Sequence, residues 1–146
     1  MRSYEAVTRI EASPADVWAL LTDVASWRDW DSGVDRVEGR VALGEQLTVY
    51  ATMIRTRPFT VTVTEIRPRE AMRWRAGLPF GVATIERTYF LDAQEDGGTV
   101  LTVREDHTGP LAGLLDRSTP DLNPSFRQFC AGIKQRTERQ APAPAG

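Results

Sequence analysis

The sequence has a single cysteine, Cys130, in 146 residues, so no internal disulfide can form and a reducing compartment is the expected setting. It also has a single histidine, His107. With one Cys and one His, no zinc site of ordinary composition can be assembled, and no metal is expected. Lys134 is the only lysine, a compositional bias from which no function follows. The formal charge of −2 is too small to gather nucleic acid or an anionic membrane surface. No apolar run approaches the roughly 20 residues needed to cross a bilayer. The N-terminal stretch MRSYEAVTRIEA alternates polar and apolar residues rather than presenting a signal-peptide core, so a cytoplasmic location is expected. There is no phosphate-cradling glycine loop and no nucleophile elbow, and no cofactor is expected. Asp29, Asp31, Gly33 and Asp35 are spaced somewhat like a calcium loop, but the glycine is misplaced and Arg40 stands where a bidentate Glu belongs.

What is present is β-pattern, and then helix. Hydrophobic residues make up 41% and are spread along the chain, as in an ordinary globular domain. One domain over residues 1–139 is expected, with 140–146 (QAPAPAG) as a disordered Ala/Pro tail. Tyr4, Ala6, Thr8 and Ile10 fall on one face of a first strand, residues 3–12. Ser13 and Pro14 then open a short helix over 14–22, with Ser13 as cap. Trp27 and Trp30 mark a second short helix. Strands follow at 34–41, 46–54, 59–67, 71–76, 82–92 and 99–107, rich in Thr, Val, Ile and Tyr. Turns are expected at Gly44, Pro68 and Asp96-Gly97-Gly98. A bulge is expected within Thr64–Ile66. Leu111, Leu114 and Leu115 form one helical stripe, and Leu122, Phe126, Phe129 and Ile133 another. Pro120 and Pro124 cannot sit inside a single helix without a cost of about 3 kcal/mol, so two pieces are predicted, 110–118 and 124–139, with Asn123 capping the second.

That order resembles the START-like superfamily, in particular its polyketide cyclase/dehydrase and lipid-transport-like group. The residues that carry the likeness are Ile10-Glu11-Ala12-Ser13-Pro14-Ala15-Asp16-Val17-Trp18, Trp27-Arg28-Asp29-Trp30, Thr64-Glu65-Ile66-Arg67-Pro68 leading to Met72-Arg73-Trp74, and Gly98-Thr99-Val100-Leu101-Thr102. The set covers residues 3–139. The resemblance implies an α+β helix-grip fold, a curved seven-stranded antiparallel sheet around a C-terminal helix, which Pro120 and Pro124 break near 118–124 in this chain. It further implies a cavity between sheet and helix for a small hydrophobic ligand such as a lipid, polyketide or isoprenoid-like molecule. Fold alone does not choose among activities.

The residues themselves suggest where such a ligand would lie. If Leu101 and Val103 face inward, period two brings Glu105 and His107 inward as well. A histidine oriented by a carboxylate can move a proton in a ring closure or dehydration. Arg87 and Tyr89 share a face with Ile85 and Leu91. Arg87 would hold a carboxylate or enolate oxygen, or else form an ion pair with Glu65 or Glu105. Trp74 and Met72 are expected in the cavity wall, with Ile85, Leu101, Val103, Leu122, Phe126 and Phe129. Gly77-Leu78-Pro79-Phe80-Gly81 is an apolar hairpin tip, which suggests a flap bringing Phe80 over the cavity mouth. The expected function is ligand binding. The alternatives are a cyclase, aromatase or dehydratase using His107, Glu105, Arg87 and Tyr89, and a protein-interaction module acting through residues 77–81. A monomer or a homodimer is compatible with all three.

Overall fold

Seven segments of alternating polarity can bury their apolar faces only by pairing into one sheet around something apolar. A computed structural model of the chain shows how they do so; it describes residues 2–52 and 58–140. The strands are β1 (Arg2–Ile10), β2 (Val34–Glu38), β3 (Gln46–Ala51), β4 (Phe59–Arg67), β5 (Ala71–Gly77), β6 (Thr84–Ala93) and β7 (Thr99–Thr108). They form one antiparallel sheet in the order β1-β7-β6-β5-β4-β3-β2. The helices are α1 (Pro14–Thr22), α2 (Ala112–Ser118) and α3 (Asn123–Gln140), with a 3-10 helix at Val24–Asp29 and a short 3-10 turn at Pro79–Gly81. The expected second short helix is therefore of the tighter 3-10 kind. The predicted strand 46–54 ends at Ala51, and its last two positions lie outside the described residues. Residues 141–146 of the predicted tail also lie outside them. The predicted strand 34–41 stops at Glu38, because Gly39 turns the chain at φ 113, where an added Cβ would meet the Gln46 carbonyl at 2.7 Å.

Local signals decide most of the boundaries. The Ser13 side chain accepts from the Asp16 N–H, and Pro14 occupies the first turn of α1. Gly97 supplies the positive φ of the β6–β7 hairpin. Between Val63 and Glu65 the register with β5 slips, so the bulge falls at Thr64. The break between α2 and α3 is present, but Asn123 does not cap α3. Its side-chain oxygen instead accepts from the Glu5 N–H at 3.0 Å.

That contact belongs to a set. β1 is an edge strand, and edge strands leave unpaired backbone groups that invite other chains. Side chains of α3 occupy two such groups and one just past the strand: Asn123 takes the Glu5 N–H, Lys134 Nζ donates to the Arg9 carbonyl at 2.9 Å, and beyond β1 Glu138 takes the Glu11 N–H at 2.8 Å. The helix thus covers the edge as well as the inner face.

On that inner face Phe126, Phe129, Cys130 and Ile133 of α3 are buried against the sheet. Trp27 fills the centre. Its ring lies 4.8 Å from Phe129, 5.5 Å from Trp74 and 6.1 Å from Tyr89. Trp18 and Trp30 are only partly buried and pack at the margin. α3 approaches the 30–31 segment so closely that Gly132 has no room for a side chain. An added Cβ would lie 2.0 Å from the Asp31 carbonyl oxygen. We expect Gly132→Ala to lower stability by about 1–3 kcal/mol, the range for overpacking, despite alanine's better helix propensity. Urea unfolding checks this, and a neutral or stabilised variant would show that the contact yields freely.

Candidate ligand cavity

The inner face of the sheet is set by simple alternation. Along β7, Leu101, Val103, Glu105 and His107 are all buried, while the residues between them are not. Antiparallel partners share a face, so the register builds rows across the sheet. One row is Trp74, Arg87, Glu105 and Tyr4, with Trp74 opposite Arg87, Arg87 opposite Glu105 and Glu105 opposite Tyr4. The next is Ala76, Ile85 and His107.

These rows carry a chain of alternating charge. Arg87 Nη2 lies 2.8 Å from Glu105 Oε1, and Arg87 Nε donates to the same oxygen at 3.0 Å. Glu105 Oε2 lies 2.9 Å from His107 Nε2, and His107 Nδ1 lies 3.0 Å from Asp116 Oδ1 of α2. Tyr4 sets its ring edge-on to the imidazole, with centroids 5.5 Å apart. Carboxylates accept and do not donate, so two of them on two ring nitrogens require both nitrogens to carry hydrogen. His107 is therefore held as imidazolium. Its pKa is raised by the hydrogen bond to Glu105, against the opposing effect of burial, with Asp116 adding to the rise. Burial pushes Glu105 upward, but the Arg87 charge and the His107 hydrogen bond outweigh it and hold the carboxyl below its usual range. Arg87 stays charged: burial works against it, and Glu105 and Tyr89 overcome that. Tyr89 is shifted up by burial, which keeps its hydroxyl protonated.

A cavity of about 250 Å3 opens beside this chain. Phe59 and Val61 of β4, Trp74 and Ala76 of β5, and Ile85 of β6 form its sheet wall. Leu115, Thr119 and Leu122 close it from the α2–α3 side, and Arg87 and Glu105 form its polar end. A smaller void of about 40 Å3 continues past Arg87 towards Trp27, Tyr89, Val103, Phe126 and Phe129. Arg87 stands between the two, with its guanidinium 4.9 Å from the Phe126 ring centre.

The structure brings together Trp74, Ile85, Leu122, Arg87 and Glu105 at the main cavity, and Tyr89, Val103, Phe126 and Phe129 at the smaller one. Met72 and Leu101 are fully buried and line neither void, because they lie deeper in the packed sheet face. His107 is completely buried and backs Glu105 rather than lining the cavity. Of the two partners foreseen for an Arg87 ion pair, the register supplies Glu105. The expected Phe80 flap is corrected: Phe80 is fully exposed in a turn at φ 63 and touches neither void. The Leu111–Leu114 stripe is likewise turned outward, at 44% and 52% exposure, and Leu115 alone of that set reaches the cavity. Burial drives the Cys130 thiol up to about 12, which marks it as a core residue rather than a nucleophile. Asp116 was not singled out by the sequence. The one signal for it was a lone acid beside Leu115 on the helix that follows the His107 strand.

A pH dependence follows. The folded pKa of His107 lies above its unfolded value of about 6.5, so its contribution is full below that pH and is lost as pH rises through the folded value. Glu105, shifted down, contributes above its unfolded value and loses that contribution on the acid side. Unfolding free energy should therefore decline as pH rises from about 6.5 through the folded value. In His107→Gln that decline should flatten. Equal slopes in the two proteins would contradict a charged His107.

A curved antiparallel sheet wrapped on a C-terminal helix, with a cavity between them, defines a START-like helix-grip protein. The sequence model of the family described as polyketide cyclase / dehydrase and lipid transport matches residues 1–138, and the chain belongs to that family. No curated protein matches the sequence. Among solved structures, the Zhui aromatase/cyclase from Streptomyces sp. R1128 is similar, with a TM-score of 0.72 and 15% identity over 99% of this chain and 98% of that one. A norcoclaurine synthase point mutant from Thalictrum flavum, in complex with a transition-state analogue, has a TM-score of 0.70 and 12% identity over 95% of each chain. A START superfamily protein from Mycobacterium smegmatis has a TM-score of 0.69 and 12% identity over 95% of this chain and 99% of that one. At such identities the likeness concerns the fold. No helix among the described residues is long and apolar enough to cross a membrane.

Proposed function

We propose that the chain binds a compact hydrophobic molecule in the cavity between the sheet and the α2–α3 segment. The observation that carries this is the cavity itself: about 250 Å3 of mostly apolar wall with one polar end, Arg87 and Glu105. An apolar cavity of about 150 Å3 holds one benzene ring, so this one suits two fused rings better than a long acyl chain. Arg87 has five N–H groups, keeps some beyond those given to Glu105 and Tyr89, and can donate to an oxygen of the ligand. Calorimetric titration with 2-naphthol tests the reading against Ala76→Phe, which places a ring in the cavity wall. Binding to wild type and a loss of at least roughly tenfold in the folded variant is the expected result. Equal binding would exclude the cavity.

A second reading, proton-transfer chemistry of the cyclase type, is favoured by one observation: Glu105 in the cavity wall is backed by His107 and Asp116 while Arg87 is placed to hold an enolate oxygen. It stands second because a carboxylate held below its usual pKa is a weak base, and because His107 does not reach the cavity. Its test is deuterium exchange into the α-carbon of 2-tetralone in heavy water. Wild type should accelerate the exchange and Glu105→Gln should not. No acceleration by wild type would overturn it.

A further inference from the structure

We propose that Glu105 makes this cavity selective for uncharged ligands, admitting a two-ring alcohol or ketone and excluding the corresponding carboxylate; the proposal rests on the binding reading above. Among the described residues, Arg87 and Glu105 are the charged ones lining the main cavity. An arginine in an apolar pocket ordinarily selects an anion, because its planar fork matches a carboxylate with two parallel hydrogen bonds. Here Glu105 already occupies one edge of that fork. Both Nε and Nη2 of Arg87 engage Glu105 Oε1, at 3.0 and 2.8 Å.

Charge counting leads to the same conclusion. The series is Arg87, Glu105, His107 and Asp116, two cations and two anions in contact at 2.8, 2.9 and 3.0 Å, with Glu105 and His107 buried. Nothing in it calls for a further negative charge. A ligand carboxylate would lose its hydration, find the Nε/Nη2 edge of the guanidinium taken, and lie against the Glu105 carboxylate. Like charges set against each other in a binding site cost several kcal/mol. A hydroxyl or carbonyl oxygen needs only one donor, and Arg87 has N–H groups left over. Glu105 is then a specificity residue that works by repulsion, while the apolar walls supply the affinity.

The test compares 2-naphthol with 2-naphthoate, which share shape and ring area but differ in charge at pH 7. For wild type, calorimetry should show naphthol binding at least roughly tenfold more tightly. In Glu105→Gln the side chain keeps its shape and loses its charge, so naphthoate affinity relative to naphthol should rise by at least roughly tenfold. Equal or tighter naphthoate binding by wild type would overturn the proposal, and so would a folded Glu105→Gln without that relative gain for naphthoate. The wild-type comparison needs no variant and stands if Glu105→Gln does not fold. Failure of wild type to bind either probe would instead overturn the binding reading on which this one rests.

Discussion

Glu105→Leu is expected to lower unfolding free energy by about 3–5 kcal/mol, the penalty for removing one partner of a buried charge pair. The substitution is close in volume, so packing contributes little. What it removes is the acceptor for both Arg87 and His107, at 2.8 and 2.9 Å, and it leaves two cations side by side inside the fold. His107 can shed its proton in response, but Arg87 cannot. The double variant Arg87→Met with Glu105→Leu should recover much of the loss, because a buried ion pair and a well-packed apolar pair are often close in stability. Denaturant midpoints at unchanged slope measure both. A single-variant loss below about 1 kcal/mol would mean that water reaches the pair and screens it.

Trp27→Ala is expected to cost a similar amount, about 3–5 kcal/mol, for a different reason. Trp27 is almost fully buried, and its ring meets those of Trp30, Trp74, Tyr89 and Phe129 at 6.2, 5.5, 6.1 and 4.8 Å. Each such pair adds about 0.5–1.5 kcal/mol beyond burial. Truncation also opens the void of about 40 Å3 that Trp27 lines. Trp30→Ala, at the margin of the same cluster, should cost clearly less. Equal losses for the two would show that Trp27 does not organise the cluster.

Much of this was legible in the sequence where a local rule acts alone. Ser13-Pro14 began α1, Gly97 turned the last hairpin, and period two put Glu105 and His107 on the inner face with Leu101 and Val103. The bulge expected within Thr64–Ile66 falls at Thr64. Less legible were features that depend on partners distant in the chain. Asn123 looked like a helix cap because its type and position before Pro124 suit one, yet the unpaired edge of β1 claims its side chain. Nothing near Gly132 in the sequence shows that the Trp30–Asp31 backbone passes over it. Asp116 becomes meaningful only once α2 folds back over the end of β7. Phe80 misled for a general reason: an apolar loop tip between glycines predicts a cover, but the direction of a turn is set by its φ values, and φ 63 at Phe80 turns the ring outward.

The central claim is that the space beside Arg87 receives a ligand. Methyl-resolved NMR during a 2-naphthol titration examines that space directly. Saturable shifts should be largest at Val61, Ile85, Leu115 and Leu122, which line the cavity, and small at the exposed Leu78 and Leu111. Shifts confined to Leu78 and Leu111, with the cavity methyls unmoved, would contradict the account.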